Sequence, residues 1–101
     1  MVGNSKRTRV DIIMDMLKCI SEKNGQIKPT HLMYKSNLSH VQMKQYLGEM
    51  KSKGMINEVF EGKEGKGEKD KTKRQIAITK KGRDFLVNLI RMREFEKTFG
   101  L

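Results

Sequence analysis

A chain of 101 residues with 22 basic and 12 acidic side chains carries a formal net charge of +10. It has room for one domain and attracts polyanions, because displacing the counterions condensed on a nucleic acid drives binding. The single cysteine, Cys19, excludes a disulfide within the chain and points to a reducing, intracellular compartment, and no apolar run approaches the ~20 residues that span a bilayer.

The polar, basic start from Met1 to Arg9 has no apolar core, so no signal peptide is expected there. Thr8 and Asp11 have the spacing of a helix-capping box, with Asp in place of the usual Glu or Gln. Val10, Ile13, Met14, Leu17 and Ile20 then recur at helical spacing. Asn24-Gly25 tolerates a left-handed backbone, which predicts a first helix from about Arg9 to Lys23. Thr30, after Pro29, is a reasonable cap for a short second helix through Lys35, with Leu32 and Met33 inward. Ser36-Asn37-Leu38 reads as a tight turn with one buried residue. Ser39 caps a third helix, 39–53, whose apolar stripe is Met43, Tyr46, Leu47 and Met50; Gly54 ends it.

Met55 to Phe60 is a plausible strand. Glu61 to Lys73 is almost wholly charged or glycine and cannot offset the entropy of ordering by burying apolar area. Gln75 to Thr79 alternates Ile76 and Ile78 as a half-buried strand does. Thr79 caps a last helix through Lys97, with Phe85, Leu86, Leu89, Ile90, Met92 and Phe95 apolar. The order is helix, helix, helix, strand, long loop, strand, helix. That is an α+β, mainly α architecture: a winged helix-turn-helix of three helices and a two-stranded wing, with a C-terminal helix suited to dimerisation. It divides into a flexible basic arm, 1–7, a winged helix-turn-helix domain, 8–79, and a packing and dimerisation helix, 80–101.

Several segments carry a resemblance. They are the run Thr30 to Ser39, the pair Tyr46-Leu47, the triplet Gly54-Met55-Ile56 and the run Ile78 to Leu86. Together they resemble small archaeal winged-helix DNA-binding proteins, in the branch that includes the ten-kilodalton basic chromatin-associated proteins of Sulfolobus. The similarity extends over roughly residues 8 to 95. It implies a homodimer in which the last helices pair as an antiparallel coiled coil. Two departures stand out: the wing tip is longer and more charged than the resemblance leads one to expect, and a helix ending by Leu101 leaves only a short coiled coil.

With Met43, Tyr46, Leu47 and Met50 inward, the opposite face of the third helix carries Val41, Lys44, Gln45, Gly48 and Ser52, flanked by His40 and Lys51. A helix in the major groove reads bases mainly with its N-terminal half, so Ser39, His40, Lys44 and Gln45 are the foremost contact candidates. Gln suits adenine edges, Lys suits guanine or phosphate, and Ser at a helix N-terminus suits phosphate. Gly48 would let the helix lie close to the duplex. The wing, 61–74, sets six basic against four acidic residues, a net of +2, and only Lys69, Lys71, Lys73 and Arg74 form a clear cation cluster suited to the backbone. Lys6, Arg7 and Arg9 form an arm that would follow a groove or phosphates, or else a solvated terminus. On the last helix, Leu89, Met92, Phe95 and Phe99 are the candidate dimer seam. Glu94 and Glu96 argue against a membrane-surface anchor there.

His31 and His40 lack partners at metal-ligand spacing, and Cys19 falls in an apolar helical pattern. The run Gly62 to Gly67 is followed by Glu68 rather than lysine, unlike a phosphate loop. No metal, cofactor, small-molecule ligand or enzymatic activity is therefore expected. The expected function is sequence-specific or general binding of double-stranded DNA, as a cytoplasmic, nucleoid-associated transcriptional regulator or chromatin organiser. The alternative is a winged-helix protein–protein interaction module, since fold alone does not settle function.

Overall fold

A computed structural model describes residues 7–61 and 73–101. Four helices and a three-stranded antiparallel sheet follow in the order α1 Arg9–Glu22, β1 Gln26–Ile27, α2 Pro29–Ser36, α3 His40–Ser52, β2 Ile56–Glu61, β3 Lys73–Ile78 and α4 Lys80–Thr98. This is the winged helix-turn-helix, mainly helical architecture that the pattern predicts. The sheet order is β1-β3-β2, with Ile27 opposite Ile76, Ile56 opposite Ile78 and Phe60 opposite Arg74.

Local chemistry sets the helix limits. Thr8 and Asp11 form a reciprocal box: the Asp11 backbone N–H donates to the Thr8 hydroxyl, and the Thr8 N–H donates to the Asp11 carboxylate, both at 3.0 Å. Asp11 thus does the work of the usual Glu or Gln. Ser39 and Gln42 form the second box, at 3.0 and 3.1 Å. Two orphan N–H groups are satisfied at each of these helix starts. Asn24 and Gly25 are left-handed, as the stop after α1 requires. Gly54, at φ 76°, closes α3 as the Met55 N–H reaches back to the Met50 carbonyl at 2.9 Å.

Several details differ from the sequence expectation. The α1 face that packs inward is formed by Ile12, Ile13, Met16, Leu17 and Ile20. Val10 is 41% exposed, because the helix turns its flank toward α4 and the sheet rather than centring on the expected stripe. Thr30 does not cap α2. The helix begins one residue earlier, with Pro29 at its first position and Lys28 as an N-cap without a side-chain bond, since proline's missing N–H costs nothing at that site. The two-residue strand β1 escaped the pattern because two residues show no period. The ladder also runs further than the alternation suggests, so Glu61, Lys73 and Arg74, taken as loop, lie in β2 and β3.

The core lies between α1, the helix-turn-helix and the inner sheet face. Met16, Leu17, Ile20, Leu32, Met50, Ile56 and Ile76 are fully buried there. Burying one such side chain contributes roughly 1.5–3 kcal/mol. The turn between α2 and α3 is held by left-handed Asn37, with the Leu38 N–H bonded to the Met33 carbonyl at 3.1 Å and the Leu38 side chain buried. This turn aims α3 outward. At the other end, the Thr79 hydroxyl accepts the Gly82 N–H at 3.0 Å and donates to the Gly54 carbonyl at 2.6 Å, coupling the start of α4 to the end of α3. Leu86 and Leu89 then pack inward, and Arg93 pairs with Asp11 across the α1–α4 contact. No described helix is long and apolar enough to cross a membrane.

Candidate nucleic-acid interface

The core stripe of α3 determines what the helix shows to solvent. Met43, Leu47 and Met50 are buried, and Tyr46 is half-buried against the same core. Ser39, His40, Val41, Lys44, Gln45, Gly48, Lys51 and Ser52 are all exposed. At helical spacing, His40, Lys44 and Lys51 share one edge, and Val41, Gln45, Gly48 and Ser52 share the outermost face. Val41 is 64% exposed, an apolar group offered to solvent at the N-terminal end of the helix.

The edge with His40 and Lys44 faces the wing. Ile56, Glu58 and Phe60 alternate onto one face of β2, and Arg74, Ile76 and Ile78 onto the same face of β3. The isoleucines at the base of this face enter the core, which leaves Arg74 beside α3. Between the two elements lies a groove of about 400 Å³. Its floor is Pro29, Met33, Met43 and Leu47, and its polar rim is Thr30, His40, Lys44 and Arg74. Among the described residues, no carboxylate lines it.

The cations fall into two groups. Lys44 has no ion-pair partner among the described residues. Others are tied to carboxylates. Glu58 is bridged by Lys51 at 3.2 Å and by Arg74 at 2.7 Å. These hydrogen bonds, from Arg74 first and then Lys51, hold its carboxyl below the usual carboxylate range. Glu49 pairs with Arg9 and, at 3.8 Å, with Lys53. Arg7 is held by Asp15 at 3.0 Å and by the Asn37 carbonyl at 3.1 Å, beside the turn of the helix-turn-helix. Arg7 and Arg9 are therefore anchored on the body, where the sequence reading places Arg7 in a flexible arm. Asp11 is also lowered, chiefly by the backbone N–H of Thr8 and then by the Thr8 hydroxyl and Arg93.

Lys6, Lys69 and Lys71 lie outside the described residues. Lys73 contributes its backbone to β3, and its side chain lies outside them too. Glu49 and Glu58 were missed as participants. Their role depends on the strand register and on the fold bringing the start of α1 near Glu49 of α3, neither of which has a local signature.

On α4, Met92, Phe95 and Phe99 are 55%, 59% and 63% exposed, and the two phenyl rings pack as a tilted pair with centroids 4.7 Å apart. Leu89, grouped with them in the sequence reading, is buried within the chain itself. Phe85, Asn88, Met92, Phe95 and Phe99 are spaced alternately by three and four, the spacing of a coiled-coil seam. Cys19 packs half-buried beside Ser36. No group of three or more metal-ligating side chains occurs among the described residues.

Among the solved structures that share this architecture are a transcriptional regulator and a DNA-binding protein. A MarR family transcriptional regulator from Silicibacter pomeroyi superposes with a TM-score of 0.64 at 17% identity over 86% of this chain, which spans 56% of that regulator's chain. The DNA-binding protein Sso10a-2 from Sulfolobus solfataricus superposes with a TM-score of 0.64 at 21% identity, covering 93% of this chain and 90% of that one. At these identities the likeness is one of fold. No curated protein matches the sequence significantly. The winged helix-turn-helix family profile matches residues 6–97, nearly the whole chain, and the chain belongs to that family.

Proposed function

We propose that this protein binds double-stranded DNA, with α3 in the major groove and the β2–β3 wing against the phosphate backbone. One observation carries the reading. His40 and Lys44 of α3 and Arg74 of the wing converge on a single groove lined by no carboxylate among the described residues, in a chain of net charge +10. The capped N-terminus of α3 and the exposed Ser39, Val41 and Gln45 supply the groups that would meet base edges and phosphate. Lys69, Lys71 and Lys73 extend the wing's contact along the backbone, and Lys6 adds to the arm. The described fold and the DNA-binding relative Sso10a-2 support this reading over a purely protein-binding module. The same relative and the MarR family regulator are consistent with either a chromatin organiser or a transcriptional regulator. A second copy of the chain docks on the exposed stripe of α4, giving a homodimer with two recognition helices.

The test is a titration of duplex DNA at two salt concentrations. Lys44→Ala should lower affinity and flatten the log–log salt slope by roughly 0.9, the share of one neutralised phosphate. A loss confined to particular sequences would instead make Lys44 a base contact. No binding of wild-type protein to any duplex at low salt would defeat the proposal.

A further inference from the structure

Glu58 sits where a DNA-binding surface has least use for a carboxylate. It lies on the face of β2 that continues toward Phe60 and Arg74, and it is bonded to two cations from different elements. Each of its oxygens is used. Oε1 takes Lys51 Nζ at 3.2 Å, and Oε2 takes Arg74 Nη2 at 2.7 Å and Nε at 2.9 Å. Lys51 belongs to the last turn of α3, and Arg74 belongs to the wing strand. The carboxylate is half-buried, while both cations remain about half exposed. Either cation can therefore reach an incoming phosphate, but only against the pull of Glu58.

Resting on the DNA-binding reading, we propose that Glu58 is a specificity-determining brake: its carboxylate holds Lys51 and Arg74 as a cluster of net +1 and so limits the sequence-independent grip on phosphate. Surface ion pairs typically contribute below about 1 kcal/mol each, so even this partly exposed three-residue network adds only modestly to fold stability. Its electrostatic effect on a polyanion is larger. Without the carboxylate, the cluster offers two cations and releases about one more counterion per bound site. The same bridge ties the end of α3 to the wing, so both elements present their cations at a set separation. Base contacts from Lys44 and Gln45, further up the helix, are untouched by it and keep their share of the binding.

The experiment measures binding of full-length protein to a random-sequence duplex across a salt series, for wild type, Glu58→Gln, Glu58→Asp and Glu22→Gln. Glu22 is an exposed glutamate without an ion pair among the described residues, so its variant makes the same charge change elsewhere. Glu58→Gln should steepen the slope by about 0.9 and tighten binding roughly eightfold at 0.1 M salt. Glu58→Asp, which keeps the carboxylate, should follow wild type, and Glu22→Gln should stay near it. If Glu58→Gln does not fold, Glu58→Thr, neutral and suited to a strand, replaces it. A slope for the neutral variant equal to that of wild type or of Glu22→Gln, or weaker binding, overturns the brake while leaving DNA binding intact. Absence of wild-type binding overturns the DNA-binding reading itself and this inference with it.

Discussion

Two glycines sit within helices, and their surroundings are opposite. A Cβ on Gly82, in the first turn of α4, would lie 2.2 Å from the Met55 carbonyl oxygen and 3.0 Å from the Ile78 side chain. A Cβ on Gly48, in α3, would meet nothing within 4 Å among the described residues. Both residues weaken their helices by about 0.5–1 kcal/mol relative to alanine. At Gly82 the fold explains the cost, because α4 can approach the α3–β2 connection only where there is no side chain. At Gly48 the fold offers no explanation. The same division runs through the molecule. Residues facing inward are accounted for by packing, and among those that break local rules facing outward are Gly48, Val41, Phe60, Met92, Phe95 and Phe99.

The largest effect should come from Gly82→Ala. The methyl group would collide with backbone rather than with the end of a flexible side chain, so α4 would have to move. Overpacking of this kind costs about 3 kcal/mol. Chemical denaturation of the variant at fixed protein concentration measures the loss. A variant as stable as wild type would show that α4 does not approach the Met55 carbonyl so closely, and the contrast with Gly48 would collapse.

What could be read without coordinates follows the same line between local and long-range causes. Thr8, Ser39 and Thr79 announce helix starts through bonds that span three residues, and Asn24-Gly25 and Gly54 announce helix ends, so these limits were legible. The outward face of α3 was legible because its core stripe is periodic. β1 was not, since its two residues gain their identity from pairing with Ala77 and Ile76 some fifty residues away. Nor was the bonding of Arg9 to Glu49 or of Lys51 and Arg74 to Glu58. A count of basic residues credits every cation equally, whereas the tertiary contacts leave Lys44 outside any described ion pair and share Lys51 and Arg74 with one carboxylate. Leu89 illustrates the converse. Its position in an apolar stripe suited a seam, and the body of the chain buries it instead.

The distal half of α4 supplies the next test of the inward–outward division. Phe95 and Phe99 pack against each other at a tilt and are more than half exposed, so within one chain their removal should change stability by no more than about 0.5 kcal/mol. A second copy seated on them would give a different result. Phe95→Ser combined with Phe99→Ser should convert a dimer to a monomer in sedimentation. It should also abolish the rise of the melting temperature with protein concentration that mass action imposes on a dimer. A wild-type protein that is monomeric at all concentrations would remove the partner and leave the two phenyl rings unexplained.

The most direct test of the contrast is Gly48→Ala. With no obstacle to the added methyl among the described residues, alanine's better helix propensity should stabilise the protein by about 0.5–1 kcal/mol. Duplex binding should move the other way. If α3 lies close in a groove at Gly48, a methyl on its outermost face holds the helix away from the bases and weakens binding severalfold, even though the free protein has become more stable. A stabilised variant that binds DNA as tightly as wild type would place Gly48 away from the duplex and shift the contact toward the His40–Lys44 edge. A variant that loses binding while gaining stability would show that this helix gives up propensity at one position for close approach to its partner.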